Sequence, residues 1–544
     1  MKYKIHNFLQ KQYPDISFDV SYPPRSAGQL GRLASRPEGL GDYSTNIAFL
    51  LSKSRNLEIS AVAEEVVGKL KKEFSHEFEK IEIVKTGFVN FYFSKEYLWN
   101  YLSEISKYEN IDIFKLLNSE TFKPLNINLE FISANPTGPL TLGNARSAAF
   151  GGALANIFQM AGHKVTREYY INDIGNQVEL LAESVKIRLR QLEGEKVDFP
   201  EDLYQGDYIV DLAKEAKEKR IPPELLKEFA VEKNLSWIKK SLADFGVKFD
   251  VWFKESSLKE SDEIKSILTY LEHSGLTYKK EGALWFKGTE FGLDKDVVLI
   301  KSNGQGTYLL SDFAYLKNKF SRDFDMAIYL LGADHHNDVR RLKAGLKALG
   351  LAEEKFVVLL HQLVVLKKGE EVLRMAKRKG VYVTLDDLLL QIPKDVARYF
   401  FLEKSLDTHL EFDLELAKEQ SSKNPVYYIQ YAFARINSVF SKSRNLDILK
   451  YNPRLLEEKE EFDLIRYLIR FLEVVFDISQ NYQVHYLTQY AFELAGRFHK
   501  FYETHRIISE DKKLTETRLA LTKAVRKILG ESLRLMGLCA PEKM

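Results

Sequence analysis

Apolar and polar positions change rhythm along the chain, and each change marks a different kind of element. Between Ile59 and Phe74 apolar residues recur at helical spacing, and from Ile81 to Phe93 they alternate as in a strand, so residues 1–110 predict a small α+β domain. Leu125 to Ile132 alternates again, Asn135-Pro136-Thr137-Gly138-Pro139 reads as a turn, and Ala145 to Met160 is apolar with helical spacing. Strand and helix patterns keep alternating to about residue 390, which predicts βαβ units around a largely parallel sheet over 111–390. A charged helical stretch from Lys186 to Ile267 reads as an insertion in that domain, and 391–424 as a connecting stem. From 425 to 544 the pattern is almost purely helical, through Val426–Phe440, Leu464–Ile478, Leu487–Tyr502 and Leu519–Met536. No repeat or low-complexity linker interrupts this order.

Composition narrows the picture. The 544 residues are 45% hydrophobic and 29% charged, ordinary for a globular protein of several domains. The formal net charge is only +2, so nucleic-acid binding would have to come from local basic patches. With Cys539 the single cysteine, an internal disulfide and a multi-thiolate zinc site are both excluded. No run of about eighteen apolar residues and no signal-like N-terminus occurs, and the chain reads as cytoplasmic.

The strand, turn and helix around residues 125–160 have a chemical meaning. A helix entered through a tight turn offers free N–H groups and the positive end of its dipole to phosphates, and Gly143 in its first turn leaves room for a nucleotide. Further along, Gly306-Thr307-Tyr308-Leu309-Leu310-Ser311-Asp312 sets Tyr308 and Asp312 four apart, on one face if that segment starts a helix. Gly332-Ala333-Asp334-His335-His336 follows the strand-like Ala327–Leu331, which puts it at the carboxyl edge of a sheet, where open α/β folds bind ligands. An Asp-His-His run also suits a metal, but no third ligand stands at suitable spacing, so no metal site is expected.

The motifs together resemble those of arginyl-tRNA synthetases of the bacterial type. Carrying the likeness are Glu130-Phe131-Ile132-Ser133-Ala134-Asn135-Pro136-Thr137-Gly138-Pro139, the run Arg167 to Gln177, Gly41-Asp42-Tyr43-Ser44-Thr45-Asn46, Gly87-Phe88-Val89-Asn90-Phe91, Pro425-Val426-Tyr427-Tyr428-Ile429-Gln430-Tyr431-Ala432 and Ala540-Pro541-Glu542-Lys543-Met544. The resemblance covers nearly the whole chain. It implies a Rossmann-like class I catalytic domain, an extra N-terminal α+β domain that meets the tRNA elbow, and a C-terminal helical bundle that meets the anticodon. It also implies a monomer that takes ATP with Mg2+, L-arginine and tRNA(Arg), and makes no use of a membrane.

Residue by residue, the likeness assigns the guanidinium to Glu130, Tyr308 and Asp312, and the substrate's amino and carboxyl groups to Ser133 and Asn135. His336 lines the shared arginine and ATP site. The nucleotide is assigned Pro136, Gly138, Gly143, Asn144, Gly332, Asp334, Met375 and Lys377. Ser311 stands where the family commonly has a basic residue. Arg374-Met375-Ala376-Lys377-Arg378 occupies the place of the class I Lys-Met-Ser-Lys loop, whose cations offset charge building on the triphosphate. Class I synthetases carry His-x-Gly-His where this chain has Thr141-Leu142-Gly143-Asn144. Thr141 and Asn144 can both donate hydrogen bonds, but neither can carry positive charge. Two readings follow: an arginine ligase whose Arg374, Lys377, Arg378 and Lys379 carry more of the charge, or a weakened or inactive paralogue that binds arginine or tRNA. For tRNA the resemblance implies Phe88 and Asn90 at the elbow. Lys523, Arg526 and Lys527, near helical spacing, are candidates to track phosphates, with Tyr427 and Tyr431 available for stacking.

Overall fold

The computed structural model describes residues 1–22, 41–84, 86–107, 123–260, 262–368, 371–373, 383–443 and 451–544. The chain divides into two compact units. One holds Lys123–Glu419 with Gln483–His485, and the other Met1–Phe122 with Gln420–Tyr482 and Tyr486–Met544. The N-terminal segment and the C-terminal helices, far apart in sequence, thus cluster together.

The first unit is built on a parallel sheet. In chain order its elements are strand β1 (Asn126–Phe131), helix α1 (Leu142–Met160), strand β2 (Lys164–Ile171), helices α2 (Asn176–Leu192), α3 (Asp207–Glu218) and α4 (Leu226–Asp244), and strand β3 (Val251–Lys254). There follow α5 (Tyr308–Phe320), β4 (Met326–Gly332), α6 (His336–Ala348) and β5 (Phe356–His361). The sheet order is β5-β4-β1-β2-β3, and every pairing is parallel. Parallel strands are covered on both faces, so β4 is apolar with its middle four residues buried, and β1 buries Ile127 to Phe131 even though Asn128 and Glu130 are polar. The order reverses between β1 and β4, and the carboxyl ends of these two strands frame the crevice where this class of sheet binds ligands.

Helices α2, α3 and α4 pack around their own core of Val178, Leu181, Val185, Ile209, Leu212, Leu226 and Ala230. The insertion expected over 186–267 needs correction at its end, because Val251–Lys254 is the edge strand of the main sheet. Four residues inside a charged stretch are too short to display a period. The stem expected over 391–424 likewise contains a strand, Leu410–Asp413, which pairs in parallel with Val364–Lys368.

In the second unit, strands Val20–Ser21, Tyr43–Thr45, Val89–Phe93 and Phe78–Ile83 form an antiparallel sheet in that order. Helices Ile47–Arg55, Ile59–Glu73 and Lys95–Lys107 accompany it. The bundle consists of Pro425–Lys442, Lys459–Asn481, His485–Thr504 and Lys512–Met536. Its helices bury long apolar stripes, among them Leu464, Ile465, Leu468, Phe471, Leu472 and Val475 of the second.

Candidate functional site

Helix α1 begins with a reciprocal cap. The Thr141 hydroxyl accepts from Asn144 N at 3.4 Å, and Asn144 Oδ1 accepts from Thr141 N at 3.0 Å and from the Thr141 hydroxyl at 2.9 Å. This is a capping box, which satisfies donors that a helix start otherwise leaves open. The Thr141 hydroxyl proton is therefore spent inside the cap, while the Asn144 amide N–H groups take no part in it. A side chain at Gly143 would meet only Thr141 Oγ1, at 3.7 Å, so the helix start is open to a ligand at that position.

The turn ahead of this helix is less open than expected. Pro136 and Gly138 are buried: Tyr208 of α3 donates to Thr137 O at 2.7 Å, and Asn234 of α4 donates to Pro136 O at 3.1 Å. A Cβ at Gly138 would come within 3.0 Å of the Tyr208 ring. Pro136 and Gly138, expected to contact ATP, here lie in a turn packed beneath the insertion. Arg146 is fully buried and donates to the carbonyls of Gln362 (2.8 Å), Thr408 (3.0 Å) and Ser405 (2.7 Å). Burial brings its pKa down to about 10, so it stays charged.

Register brings Tyr329, Glu130 and Glu168 side by side across β4, β1 and β2. Two carboxylates adjacent on one sheet face repel, and cations from the segment beginning with α5 neutralise them. Lys319 Nζ lies 2.5 Å from Glu130 and 3.5 Å from Glu168, while Arg322 makes a fork of 2.7 and 2.9 Å to Glu168. Burial works to raise the Glu168 pKa, but Lys319 and Arg322 hold it at about 2. Glu130 also accepts from Tyr315 at 2.7 Å and from the Ser133 hydroxyl at 3.2 Å. The carboxylate expected to clasp the guanidinium is therefore occupied inside a neutral quartet of two acids and two bases. Ser133 is engaged too, since its Oγ accepts from Tyr170 N at 3.1 Å.

A second group of carboxylates is differently placed. Asp312, in the first turns of α5, is pushed up to about 7 by burial first, then by Glu255, Asp338 and Glu130, with Arg341 working the other way. Glu255 follows β3 directly and is buried; burial raises its pKa, against hydrogen bonds from Ser311 and Tyr170. With its amide turned so that the N–H groups face acceptors, Asn172 donates to Glu255 Oε2 at 3.0 Å and to Ile174 O at 2.6 Å. Among the described residues, neither Asp312 nor Glu255 has a lysine or arginine at ion-pair distance. Tyr308 is exposed at the start of α5, its hydroxyl seated 2.9 Å from where a Cβ at Gly175 would lie. Gly175 has φ +93°, so glycine suits that loop for its backbone as well as for the close approach. Asn135 donates to Gln177 at the start of α2, just past that loop, at 2.6 Å.

At the end of β4, a Cβ at Gly332 would collide with the Asp334 carboxylate. Asp334 and His336 are exposed, and His335 pairs with Asp338 at 2.9 Å, a hydrogen bond that raises the His335 pKa. Gly332 is in register with His361, whose imidazole burial and Arg146 hold neutral, at about 4. Among the described residues no group of three or more His, Cys, Asp or Glu is set to hold a metal ion, and no helix is long and apolar enough to cross a membrane. Met375, Lys377 and Arg378 lie outside the described residues.

Glu255 and His361 are the site residues that sequence reasoning missed. The available signal for Glu255 was the aromatic run Val251-Trp252-Phe253 breaking a charged region just before a carboxylate.

In the other unit, Phe88 is 41% exposed in the turn before Val89–Phe93, but Asn90 is 2% exposed. Its neighbours across the sheet are Ser44 and Glu82, so an RNA contact through this amide is corrected to an interior position. In the bundle, Tyr431 and His499 stack at 5.9 Å, and Arg435 lies over the rings of Tyr431 and Tyr502 at 4.5 and 4.7 Å. Lys523 is exposed and Tyr427 half-buried. Arg526 leans on Phe433 and Phe440 at 5.7 and 5.9 Å, and Lys527 donates to Ile105 O at 3.5 Å. The last two are thus partly spent inside the unit.

This strand-and-helix order around a five-stranded parallel sheet is that of a class I tRNA synthetase. Residues 114–437 match the family described as tRNA synthetases class I (R), catalytic domain. Residues 18–93 match the arginyl tRNA synthetase N-terminal domain, and 429–544 the DALR anticodon binding domain. The chain belongs to the arginyl-tRNA synthetase family. It is 43% identical to a protein of Carboxydothermus hydrogenoformans named arginine–tRNA ligase, over 93% of this chain and 92% of that one. A relative of the same name from Desulforamulus reducens is 41% identical over 94% and 92%. The structure of a putative arginyl-tRNA synthetase from Campylobacter jejuni superposes with a TM-score of 0.75 at 34% identity, covering 83% of this chain and all of that one. Thermus thermophilus arginyl-tRNA synthetase shares the fold, with a TM-score of 0.77 at 21% identity over 100% and 99%.

Proposed function

We propose that this protein is an arginine–tRNA ligase, joining L-arginine to tRNA(Arg) at the expense of ATP. The observation that carries the reading is the contrast between two acidic groups: Glu130 and Glu168 are neutralised internally, whereas Asp312 and Glu255 have no lysine or arginine at ion-pair distance among the described residues. A guanidinium supplies the missing charge and a planar fork of donors. Asp312 and Glu255 hold it, with Tyr308 as a wall, while Asn135 and the backbone beyond β1 face the substrate's amino and carboxyl ends.

ATP then lies over the start of α1, its phosphates toward the helix N–H groups and the Asn144 amide, with Gly332, Asp334 and His336 at the opposite edge. The arginine carboxylate oxygen attacks the α-phosphorus and the bond to pyrophosphate breaks. Lys377 and Arg378 offset the charge on the departing group. Magnesium comes on the ATP phosphates and spreads their charge. A ribose hydroxyl at the tRNA 3' end next attacks the arginyl carbonyl and releases AMP. The bundle meets the anticodon through Tyr431, Arg435 and Tyr502, where stacking tolerates splayed bases, and Lys523 follows phosphates. Phe88 meets the elbow. The protein acts as a cytoplasmic monomer.

The Asp312–Glu255 acid pair and the tRNA-facing domains favour this over a non-catalytic paralogue. Charging of purified tRNA with each amino acid tests it. Arginine alone should be transferred, and only with ATP; equal transfer of lysine, or none of arginine, overturns the reading.

A further inference from the structure

Strand β1 ends in backbone that its residues do not favour. Ile132 has φ +70° and Ser133 +41°, both left-handed, and Ile132 is β-branched. Ser133 N donates to Phe131 O at 3.0 Å, which makes Ile132 the centre of a γ-turn of the strained, positive-φ kind. Such left-handed backbone is strained and persists only where its surroundings over-determine it. Here they do so from several sides. Ile132 N donates to Ser147 Oγ at 3.1 Å, Tyr169 OH to Ala134 O at 2.8 Å, and Ser133 OH to Glu130 Oε1 at 3.2 Å.

Glu130 is itself gripped from below. Its other oxygen takes Lys319 at 2.5 Å and Tyr315 at 2.7 Å. The Lys319 side chain is wholly buried, with Nζ 4.1 Å from the Tyr329 ring and 4.5 Å from that of Tyr315. A lysine so enclosed has no freedom to turn elsewhere, and a carboxylate so held presents its second oxygen in one direction.

We propose that Lys319 is a positioning residue for the amino-acid pocket: it locks Glu130, and through Glu130 and Ser133 it holds the left-handed turn that delivers Ala134 and Asn135 to the substrate. The inference rests on the pocket assigned above. Lys319 touches no substrate. Its effect falls on arginine, whose site begins at this turn, and spares ATP, whose phosphates face α1.

Equilibrium titration of arginine and, separately, of ATP into the full chain tests this. Lys319→Met keeps the length and removes the charge, and should weaken arginine binding about tenfold or more, with ATP affinity within about threefold. Because Lys319→Met leaves a buried negative charge, the double variant Lys319→Met/Glu130→Gln serves if the single one does not fold. It is neutral within the quartet, and the same split should appear. Parent-like arginine affinity in a folded variant overturns the proposal, as does equal weakening of both ligands, which indicates a general loosening. A parent chain that takes up no arginine overturns the pocket assignment itself, and this proposal with it.

Discussion

Thr141 and Thr384 face each other across an isolated antiparallel bridge, and each is the N-cap of a helix closed by a capping box. Leu385 N donates to Leu140 O at 2.8 Å beside them. The chain entering the helix at Leu385 is thereby pinned against the start of α1, where the phosphates are proposed to lie. Synthetases of this class usually place imidazoles at this helix start. Here the same two positions make a cap, which leaves the helix N–H groups and the Asn144 amide as its donors.

The cap sets an order of effects. Thr141→Ala should cost about 1 kcal/mol of stability through the lost cap, with a modest fall in the rate of adenylate formation. Asn144→Ala removes the amide donors as well and should slow adenylate formation up to about a hundredfold, with KM for arginine changing far less. Single-turnover pyrophosphate release and urea unfolding on both variants would check this. A larger rate loss for Thr141→Ala would mean that the hydroxyl, and not the amide, meets the phosphates.

Asp312 is expected to make arginine binding pH-dependent. Its pKa of about 7 means that much of the free protein carries it protonated at neutral pH, and a guanidinium needs the carboxylate. Affinity should rise with pH through this range, level off above it, and be accompanied by proton release. The free protein behaves in the opposite sense: between the ordinary 3.8 and about 7 the folded state keeps a proton that the unfolded chain has lost, so stability falls as pH rises there. Asp312→Asn should remove both dependences and weaken arginine binding by roughly 2–5 kcal/mol. Calorimetry in buffers of different ionisation enthalpy reads the released proton, and its absence would refute the assignment.

The contrast between Asp312 and Glu130 shows what the sequence disclosed and what it withheld. Helices with long periodic stripes, and the strand-turn-helix at 126–160, follow from spacing that holds wherever the element packs. The four-residue separation of Tyr308 and Asp312 was readable for the same reason. Glu130 was readable as important, but its partner is Lys319, 189 residues away, and no local pattern reveals a salt bridge made by folding. Glu255 and β3 were hidden because four residues cannot show a period. Asn90 shows a limit of motif likeness: its type suits an RNA contact, and only its burial in the folded sheet, at 2% exposure, shows that it faces inward.

Arg146 is expected to be indispensable to folding. Three carbonyls from two separate segments converge on its guanidinium. Arg146→Leu would strand them at about 1–3 kcal/mol apiece, and Arg146→Lys cannot span all three. Both variants should lose more than about 3 kcal/mol in denaturant unfolding or fail to accumulate as soluble protein. A loss under about 1 kcal/mol would show that water replaces the guanidinium without penalty.

In the other unit, Glu473 of Lys459–Asn481 is the point to which the N-terminal segment is tied. It is 1% exposed, and it accepts from the Met1 ammonium at 2.7 Å, from Lys2 N at 2.8 Å, from Tyr43 at 3.0 Å and from Tyr22. Burial works to raise its pKa, but the ammonium, Tyr22 and Lys2 N hold it below the ordinary 4.5. A carboxylate whose folded pKa is depressed stabilises the protein above its unfolded pKa, and the stabilisation is lost as pH falls through the folded value. Glu473→Gln should therefore cost on the order of 3 kcal/mol at neutral pH, because the ammonium is left buried without its counter-charge. The gap between parent and variant should close under more acidic conditions than an ordinary carboxylate requires. Urea unfolding of the two proteins at pH 7 and at pH 3, followed through tyrosine fluorescence, gives both quantities. A gap that stays constant across that range would mean that hydrogen-bond geometry, and not charge, makes this junction.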